Sequence, residues 1–388
     1  MNRPRIALAA RTFAKVSETF IRRQIETCPW DVSKVTGRYL RTLDDQTVAV
    51  PAGVSMAEWY RRRRGIRPSD SIAQRDARDR WLADRFAERD VRLVVAHYGV
   101  NGVQMMHACR RASVPMVVHF HGYDATSHEV IRRHGDEYRV MFGHAAKIIA
   151  CSDAMADDLR RLGAPDSKLE VCRYHVAAAD RSIDVTRSKH WIAVGRMVDK
   201  KSPLSTIEAF ARAHRRDPET RLTMIGGGKL LKDARRLVRR LNLDDVVSLP
   251  GAMPNDRVRR LMHKACGFLQ HSVTAAGGDA EGTPVAALES MAAGLPLIVT
   301  RHKGLAEIVE DGRSGFLVDE HDIETMADRI VRLNADTDRR AEFGRRGHEL
   351  MRTRFSFDAT AGRLNDVLRK AAGGSLADTV DDPHYRAA

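Results

Sequence analysis

Short apolar segments alternate with longer amphipathic segments along both halves of the chain. Short apolar runs rich in Val, Ile and Ala are typical of strands buried on both faces, and the amphipathic segments show the period of helices. The alternation predicts an α/β protein built on parallel sheets that helices cover on both faces. Strands are predicted at 6–10, 93–96, 116–120 and 147–150, and after a break at 191–194, 222–225, 246–249, 267–271 and 297–300.

The break in this alternation is a polar stretch near residues 180–189. A chain of 388 residues is too long for one hydrophobic core, so two domains are expected, and the polar stretch is the natural linker between them. We predict a first domain at 1–187 and a second domain at 188–355. A last helix at 356–372 follows a second domain that is already complete, and the tail at 373–388 is expected to be flexible.

Basic residues exceed acidic residues, with 65 Lys and Arg against 51 Asp and Glu and a formal net charge of +14. Such an excess favours polyanionic partners, which include nucleic acid, phosphorylated ligands and anionic lipid headgroups, and it does not choose among them. The excess is larger in residues 1–187 and includes the run Arg61 to Arg64. A solvated Arg-rich helix explains this run equally well.

The sequence has no apolar run near the roughly 20 residues that a membrane-spanning helix requires. Its short apolar start indicates a first strand rather than a signal peptide. The five cysteines lack the spacings of a zinc site or a disulfide framework. We therefore expect a cytoplasmic protein, or one on the cytoplasmic face of the inner membrane.

The strongest chemical signal is a glycine-rich segment that follows a predicted strand and opens a helix. Thr283 is suited to cap this helix and Pro284 to its first position, so the free N–H groups of the first turn would bind an anion. Gly282 allows a ligand to approach the backbone closely. Glu281 and Glu289 flank this phosphate site and can accept hydrogen bonds from vicinal hydroxyl groups. The pattern is therefore suited to a sugar nucleotide.

Other candidate residues follow predicted strands, where open α/β sheets bind ligands. Arg196 and Lys201 leave the end of one strand together and could neutralise a diphosphate. Gly226 and Gly227 end another strand, either as an ordinary turn or as backbone beside a nucleotide. His121 follows a strand of the first half, where it could contact a substrate or be a buried structural histidine. The first strand lacks a dinucleotide-binding glycine fingerprint, which argues against a nicotinamide enzyme.

Together these residues resemble the retaining glycosyltransferases of family four, which have the GT-B architecture of two Rossmann-like domains facing across a cleft. The resemblance covers nearly the whole chain, and the Glu281/Glu289 pair is its most specific motif. Within the family, the chain is most similar in look to the colanic acid and amylovoran exopolysaccharide glycosyltransferases. The segments that carry this closer likeness are Ser-Glu-Thr-Phe-Ile at 17–21, His-Phe-His-Gly-Tyr-Asp at 119–124, the segment 279–285, and His-Lys-Gly-Leu-Ala-Glu at 302–307.

The resemblance implies a nucleotide diphosphate sugar as donor and a role for each motif residue. Arg196 and Lys201 would hold the diphosphate, and Glu289 would accept hydrogen bonds from the ribose hydroxyls. Glu281 and His121 would lie at the transferred sugar, so that His121, Glu281, Arg196 and Lys201 form the catalytic set. The remaining donor-binding residues would be Gly226, Gly227, Met253, Gly282, Thr283, Pro284 and Val285.

The resemblance also implies hexosyl transfer with retention at the anomeric carbon, to a saccharide or a lipid-diphosphate-linked saccharide in exopolysaccharide synthesis. An anionic membrane surface is an expected partner, and neither a metal ion nor another cofactor is expected. One alternative is a GT-B phosphorolytic enzyme, which would need a further phosphate site and often a pyridoxal lysine. Another is a basic nucleic-acid-binding protein, which would interleave basic and aromatic residues. The sequence shows neither pattern, and it leaves the base and the sugar of the donor open.

Overall fold

The fold is built on two β-sheets, one in each half of the chain, as a computed structural model shows. The structure describes residues 3–13, 18–37, 39–48, 72–178, 182–374 and 376. Helices flank both sheets, and the predicted α/β class with two parallel-sheet domains is confirmed. The run Arg61 to Arg64 lies outside the described residues.

The first sheet has the strand order β4-β3-β2-β1-β5-β6-β7-β8 in the described part of the chain. Its strands are β1 (Arg5–Ala9), β2 (Asp31–Thr36), β3 (Thr42–Leu43), β4 (Gln46–Thr47), β5 (Val91–His97), β6 (Met116–His119), β7 (Lys147–Ala150) and β8 (Leu169–Val171). All neighbours pair in parallel except β2 with β3 and β3 with β4, which are antiparallel. The described helices of this half are α1 (Thr19–Glu26), α2 (Ile72–Glu88), α3 (Gly99–Ala112), α4 (Tyr123–Thr126), α5 (His128–His144) and α6 (Asp153–Arg161).

The second sheet is wholly parallel, with the order β11-β10-β9-β12-β13-β14. Its strands are β9 (His190–Val194), β10 (Arg221–Ile225), β11 (Val247–Gly251), β12 (Gly267–Gln270), β13 (Leu297–Thr300) and β14 (Gly315–Val318). The helices of this half are α7 (Pro203–Arg216), α8 (Leu231–Arg240), α9 (Asn255–Met262), α10 (Val285–Ala293), α11 (Lys303–Ile308), α12 (Ile323–Ala335) and α13 (Thr337–Thr353).

Local sequence signals set several of these helix boundaries. The Asp322 side chain caps α12 by accepting a hydrogen bond from Thr325 N at 2.9 Å, and Asp336 does the same for α13. Gly294 ends α10 at a φ of 90°, a left-handed conformation that favours glycine. The central strands β6 and β13 are buried at every position, which explains why their sequences are continuous rather than alternating.

The C-terminal part of the chain returns to the first sheet after the second sheet is complete. A π-helical turn at Asp358–Gly362 leads into α14 (Arg363–Ala371). On α14, Leu364 and Leu368 belong to the same buried cluster as Ile6 and Leu8 of β1. The first strand and the last described helix are therefore packed together on one sheet. The residue limits predicted for the domains stay predictions.

Candidate active site

The carboxyl ends of strands from both sheets meet where the two halves of the chain touch. Hydrogen bonds that cross this contact include His128 N to Gly277 O at 2.8 Å, Ala280 N to Thr126 Oγ1 at 3.0 Å, and Thr283 Oγ1 to Cys151 O at 3.1 Å. We call residues 275–283, which follow β12 and contain Glu281, the donor loop. Parallel sheets bind ligands at this edge, so the predicted residues are gathered at the expected place.

Glu281 is buried, with 9% of the residue exposed, and lies between two lysines. Lys201 Nζ is 3.1 Å from its Oε2 atom, and Lys200 Nζ is 3.8 Å from its Oε1 atom. Burial alone would raise the pKa of Glu281, but the two ammonium groups outweigh burial and hold the pKa below its ordinary value. Oε1 has no hydrogen-bond partner within the described residues, so a buried carboxylate oxygen is left for a ligand hydroxyl.

Contacts from His302 and Lys200 hold the backbone that carries Glu281. The Glu281 N–H donates to His302 Nε2 at 3.1 Å, so His302 carries its proton on Nδ1, which contacts Glu320 Oε1 at 2.5 Å. Lys200, which the sequence did not single out as a site residue, donates to Asp279 Oδ1 at 2.8 Å and to Ala280 O at 3.1 Å. The donor loop is therefore held from both sides of Glu281.

The helix after the donor loop begins one residue later than predicted. It starts at Val285, with Pro284 in an extended conformation at the cap position and no side-chain capping hydrogen bond. The prediction that Thr283 caps this helix is wrong, because the Thr283 hydroxyl donates to Cys151 O across the contact between the halves. The first turn of α10 is thus left without a side-chain cap, and its positive end is free to face an anion.

Arg196 and the glycine turn lie at the ends of β9 and β10. Arg196 is exposed and lines a cavity of about 500 Å³ between the halves, together with Lys200 and Lys229. A Cβ atom on Gly226 would lie 1.8 Å from Gly195 O, so this glycine is required by backbone packing alone. Gly227 accepts a hydrogen bond from Met197 N at 2.9 Å. Met253 is half-buried after β11.

His121 lies in a stack of aromatic rings at the end of β6. Its Nε2 atom is 3.0 Å from His97 Nδ1, and its Nδ1 atom is 2.7 Å from the Tyr174 hydroxyl. Both ring nitrogens are therefore engaged within the protein. Burial, together with the neighbouring imidazoles, holds the pKa of His121 well below its ordinary value, so the ring is neutral at physiological pH. The expected contact between this ring and a sugar stays a prediction.

The imidazoles of His97, His119 and His121 each bring one ring nitrogen within 4.8 Å of the other two, a spacing at which three ligands could share a metal ion. The ring centroids of His97, His119 and His121 are 4.3–5.8 Å apart, with interplanar angles of 24–37°. A zinc ion would require one lone pair in the plane of each ring to point at a common centre about 2.0–2.1 Å away. His97 Nε2 and both ring nitrogens of His119 are buried and have no hydrogen-bond partner within the described residues. The expectation that no metal is needed stays a prediction.

The turn that carries His121 is held by one buried carboxylate. Asp124 accepts backbone hydrogen bonds from His121 N and Gly122 N, both at 3.0 Å, and from Gly99 N at 2.9 Å. Burial raises the pKa of Asp124 to about 6, and these backbone bonds oppose the rise.

Glu289 faces the first half of the chain rather than solvent. Its Oε1 atom is 2.5 Å from Arg23 Nη2, and its side chain is only 10% exposed. Arg23 also has a buried Nη1 atom with no hydrogen-bond partner within the described residues. Sequence reasoning missed Arg23, because nothing local to α1 indicates a partner 266 residues away.

Two family models match successive parts of the chain. The Glycosyltransferase Family 4 model matches residues 30–173, and the model described as Glycosyl transferases group 1 matches residues 181–350. The glycosyltransferase WcaL of Escherichia coli, named for colanic acid biosynthesis, is 32% identical over 282 residues, which are 71% of this chain and 70% of that protein. The chain belongs to glycosyltransferase family 4.

Other relatives of this family 4 chain have related names. WcaL of Salmonella typhimurium is 32% identical over 63% of the chain, and the amylovoran biosynthesis glycosyltransferase AmsK of Erwinia amylovora is 29% identical over 62%. These two matches span 62% and 61% of the relatives' own length, which is less than two thirds. The resemblance to this branch of the family is confirmed.

Solved structures share the fold of the family 4 chain over almost its whole length. HepE of Anabaena, in complex with UDP and glucose, has a TM-score of 0.72 at 16% identity and covers 96% of this chain and 100% of its own. Sucrose-phosphate synthase of Thermosynechococcus elongatus has a TM-score of 0.74 at 18% identity, with the same coverage. These likenesses confirm the GT-B fold.

Replacing Asp124 with Asn in the family 4 chain should lower the thermal unfolding midpoint. An amide offers one acceptor oxygen in place of two, so at least one backbone N–H would face an NH₂ group, at a cost of about 1–3 kcal/mol. The pKa of Asp124 is raised from 3.8 to about 6, so its contribution to stability is present below about pH 4 and lost as the pH rises through about 6.

The difference in midpoint between parent and variant should therefore narrow as the pH rises from about 4 to about 6, when both are followed by scanning calorimetry. Asp136, exposed and paired only with Arg139 on α5, supplies the control Asp136→Asn. A constant difference across this range would contradict the assignment.

Proposed function

We propose that this chain transfers a sugar from a nucleotide diphosphate donor to a saccharide or a lipid-diphosphate-linked saccharide, with retention at the anomeric carbon. The observation that carries this proposal is the buried Glu281 carboxylate, which keeps one oxygen unpartnered beside the uncapped start of α10. The Glu281 oxygen can accept a hydrogen bond from a sugar hydroxyl, and the start of α10 can bind a phosphate. The two groups together are therefore suited to a sugar and its phosphate. The donor would bind the half at 188–355, and the acceptor the half at 1–187.

The names of the relatives support a role in exopolysaccharide synthesis. WcaL and AmsK are named for colanic acid and amylovoran biosynthesis, and HepE was crystallised in complex with UDP and glucose. In the proposed reaction, the bond between the anomeric carbon and the diphosphate oxygen breaks. A bond to the acceptor hydroxyl oxygen forms on the same face, and the hydroxyl proton leaves with the nucleoside diphosphate.

Lys201 can serve both Glu281 and the leaving diphosphate, because an ammonium group has three donors and the carboxylate occupies one direction. Arg196 would add a second positive charge from the mouth of the cavity. Catalysis would then consist of positioning together with stabilisation of the charge that develops on the diphosphate. Neither a metal ion nor a cofactor is part of this proposal.

A screen of nucleotides and nucleotide sugars tests the proposal. Thermal shifts with UDP, GDP and ADP identify the base, since a ligand at 100 times its dissociation constant adds about 2.7 kcal/mol of stability. The matching nucleotide sugars are then incubated with saccharide and lipid-linked acceptors, and the anomeric configuration of the product is read by NMR. Release of sugar 1-phosphate from the acceptor with inorganic phosphate, or tight binding of DNA without transfer, would favour the alternatives.

Replacing Glu289 with Ala should weaken nucleotide binding by roughly 10- to 150-fold, because hydrogen bonds to a charged group contribute about 1.5–3 kcal/mol. Isothermal titration calorimetry with the identified nucleotide measures the effect. Glu324→Ala is the control, since Glu324 is exposed and pairs with Arg212 on the surface of the same half.

Arg23 provides a second variant for this assignment. If Arg23 only occupies the Glu289 carboxylate in the absence of a ligand, Arg23→Met should leave nucleotide affinity unchanged or raise it. Unchanged affinity in a folded Glu289→Ala variant would remove Glu289 from the nucleotide site.

Replacing Arg196 or Lys201 with Ala should lower turnover more than it lowers nucleotide-sugar affinity, because charge grows on the diphosphate as the sugar departs. Each loss in turnover should be on the order of 100- to 1000-fold, by comparison with the removal of one oxyanion donor. Single-turnover rates and binding constants are measured for both variants, with Lys189→Ala as a control that removes a cation paired with Asp217 and Glu219. Equal losses in single-turnover rate and in affinity would show that Arg196 and Lys201 bind the diphosphate without stabilising the transition state.

Transfer should continue in the presence of EDTA, because Arg196 and Lys201 supply the positive charge that a divalent ion would otherwise provide. The measurement is the initial rate before and after chelation and after the return of Mg²⁺ or Mn²⁺. A complete loss of rate that either ion reverses would show that the reaction needs a metal.

We expect peripheral attachment to anionic membranes through the first half, on the cytoplasmic face. None of the helices in the described part of the chain is long and apolar enough to cross a membrane. Each basic residue near an anionic surface contributes about 1 kcal/mol, so the run Arg61 to Arg64 would suffice for salt-sensitive binding.

Vesicle co-sedimentation at low and high salt, with and without anionic lipid, tests this attachment in a variant with Arg61 to Arg64 changed to Ser. A control with the same loss of charge changes four exposed arginines of α8: Arg235, Arg236, Arg239 and Arg240. If both variants bind like the parent, the membrane contact lies elsewhere, and if the parent does not bind at low salt, the charge has another role.

A further inference from the structure

The segment 302–307, which the sequence singled out, contributes only His302 to the site described above. The rest of it forms the start of α11, which follows β13 in the second half. In the structure, α11 lies against α6 of the first half. The contact between α11 and α6 is therefore a connection between the halves that does not involve the residues expected to bind the donor.

Glu307 binds the N-terminal end of α6 across this contact. Its carboxylate accepts hydrogen bonds from Asp153 N at 3.0 Å and from Ala154 N at 2.8 Å, and Arg173 Nη2 is 3.1 Å away. The N-terminal end of a helix carries partial positive charge and unpaired N–H groups, so a carboxylate is well matched to this position. The Glu307 side chain is only 18% exposed, which limits screening by water.

Lys303 makes a second ionic contact further along α6. Its Nζ atom is 3.0 Å from Asp158 Oδ1 and 3.3 Å from Asp158 Oδ2. The acidic residue of α11 thus meets the positive end of α6, and the basic residue of α11 meets an acid of α6. Because α11 contributes a negative charge to one contact and a positive charge to the other, the two contacts favour one orientation of α11 on α6 and disfavour its reversal.

The same two helices touch the donor loop from opposite sides. A Cβ atom on Gly304 would lie 1.9 Å from Gly282 O and 2.7 Å from Thr283 Oγ1, so α11 packs directly on the loop. A Cβ atom on Gly282 would in turn lie 2.8 Å from Met155 Cε of α6 and 2.8 Å from His121 O. The loop is therefore enclosed between α11, the first turn of α6 and the His121 turn.

We infer that Glu307 and Lys303 are positioning residues, which lock α11 onto α6 and so hold the donor loop against the His121 turn. The inference rests on the proposed function and adds to it a defined contact that keeps the halves together during transfer. Arg196, Lys201 and Glu289 all belong to the second half, so nucleotide binding does not require this contact. Transfer does require it, because the acceptor side must be held against the donor sugar.

The variant Glu307→Gln tests the inference with little change in shape. The amide loses the charge that faces α6 and Arg173, so we expect kcat to fall by roughly 10- to 150-fold, the range given by hydrogen bonds to a charged group. The dissociation constant for the nucleotide should stay close to that of the parent. The matched control is Glu310→Gln, since Glu310 pairs with Arg346 at 2.7 Å within the second half and should leave kcat nearly unchanged.

The pair Lys303 and Asp158 gives an independent test by a double-mutant cycle. Lys303→Met and Asp158→Asn should each lower kcat, and the double variant should be no slower than the slower single variant, because both remove the contact between Lys303 and Asp158. Asp158 also pairs with Arg161 within α6, a contact that Lys303→Met leaves intact. Lys303→Arg, which keeps the charge, should restore most of the rate. A variant that fails to fold shows itself by a collapsed thermal midpoint, and the remaining variants of the cycle then decide.

Small-angle scattering supplies a measurement that does not depend on activity. If the inference is correct, Glu307→Gln has a larger radius of gyration than the parent and Glu310→Gln does not. A parent without any transfer activity would refute the proposed function alone. A parent that is active, with Glu307→Gln equal to Glu310→Gln in both kcat and radius of gyration, would refute the inference alone, as would fully additive effects in the Lys303 and Asp158 cycle.

Discussion

The buried ion pair between Glu281 and Lys201 is the interaction on which the rest of the site depends. A carboxylate with only 9% of its residue exposed is costly unless cations and hydrogen bonds compensate for lost hydration. Here Lys201 and Lys200 lie on the carboxylate side, and His302 accepts the backbone N–H. The donor loop is consequently held in place, and one buried oxygen of Glu281 is left without a hydrogen-bond partner within the described residues. Removal of Lys201 would leave the buried carboxylate with only Lys200, whose Nζ atom is 3.8 Å from Oε1.

Much of the fold could be predicted from the sequence, because central parallel strands carry an unbroken apolar signal. The predicted limits 147–150 and 297–300 agree with β7 and β13 to the residue. The prediction did not include β2, β3, β4, β8 and β14. Of these, β3 and β4 have only two residues each, which leaves no period to detect. Helix α5 has a weak sequence signal, because only Tyr138, Met141 and Phe142 of its 17 residues are buried and its pattern is mostly polar.

The sequence predicted which residues belong to the site, but it did not predict which residues contact them. Gly226 and His121 closely follow strands, and Lys201 and Glu281 lie further along the segments after β9 and β12, which the alternation of strands and helices locates. Their partners come from contacts between the halves, and local sequence carries no signal for such contacts. Thr283 illustrates the difference: its position before a helix predicts a cap, but the Cys151 carbonyl in the other half takes its hydroxyl. The contacts of Glu307 and Arg23 across the halves were missed for the same reason.

The return of the chain to the first sheet has a mechanical consequence. Because α14 packs beside β1, the backbone passes between the halves twice, once near 182–189 and once near 354–358. Two covalent connections restrict the relative motion of two bodies far more than one does. The line that joins the two crossings is the natural hinge axis for relative rotation of the halves. Two connections also oppose sliding of the halves and rotation about other axes. Rotation about this axis returns the same strand ends to the same positions opposite each other. A single backbone cut at either crossing would leave one covalent connection and remove the fixed axis.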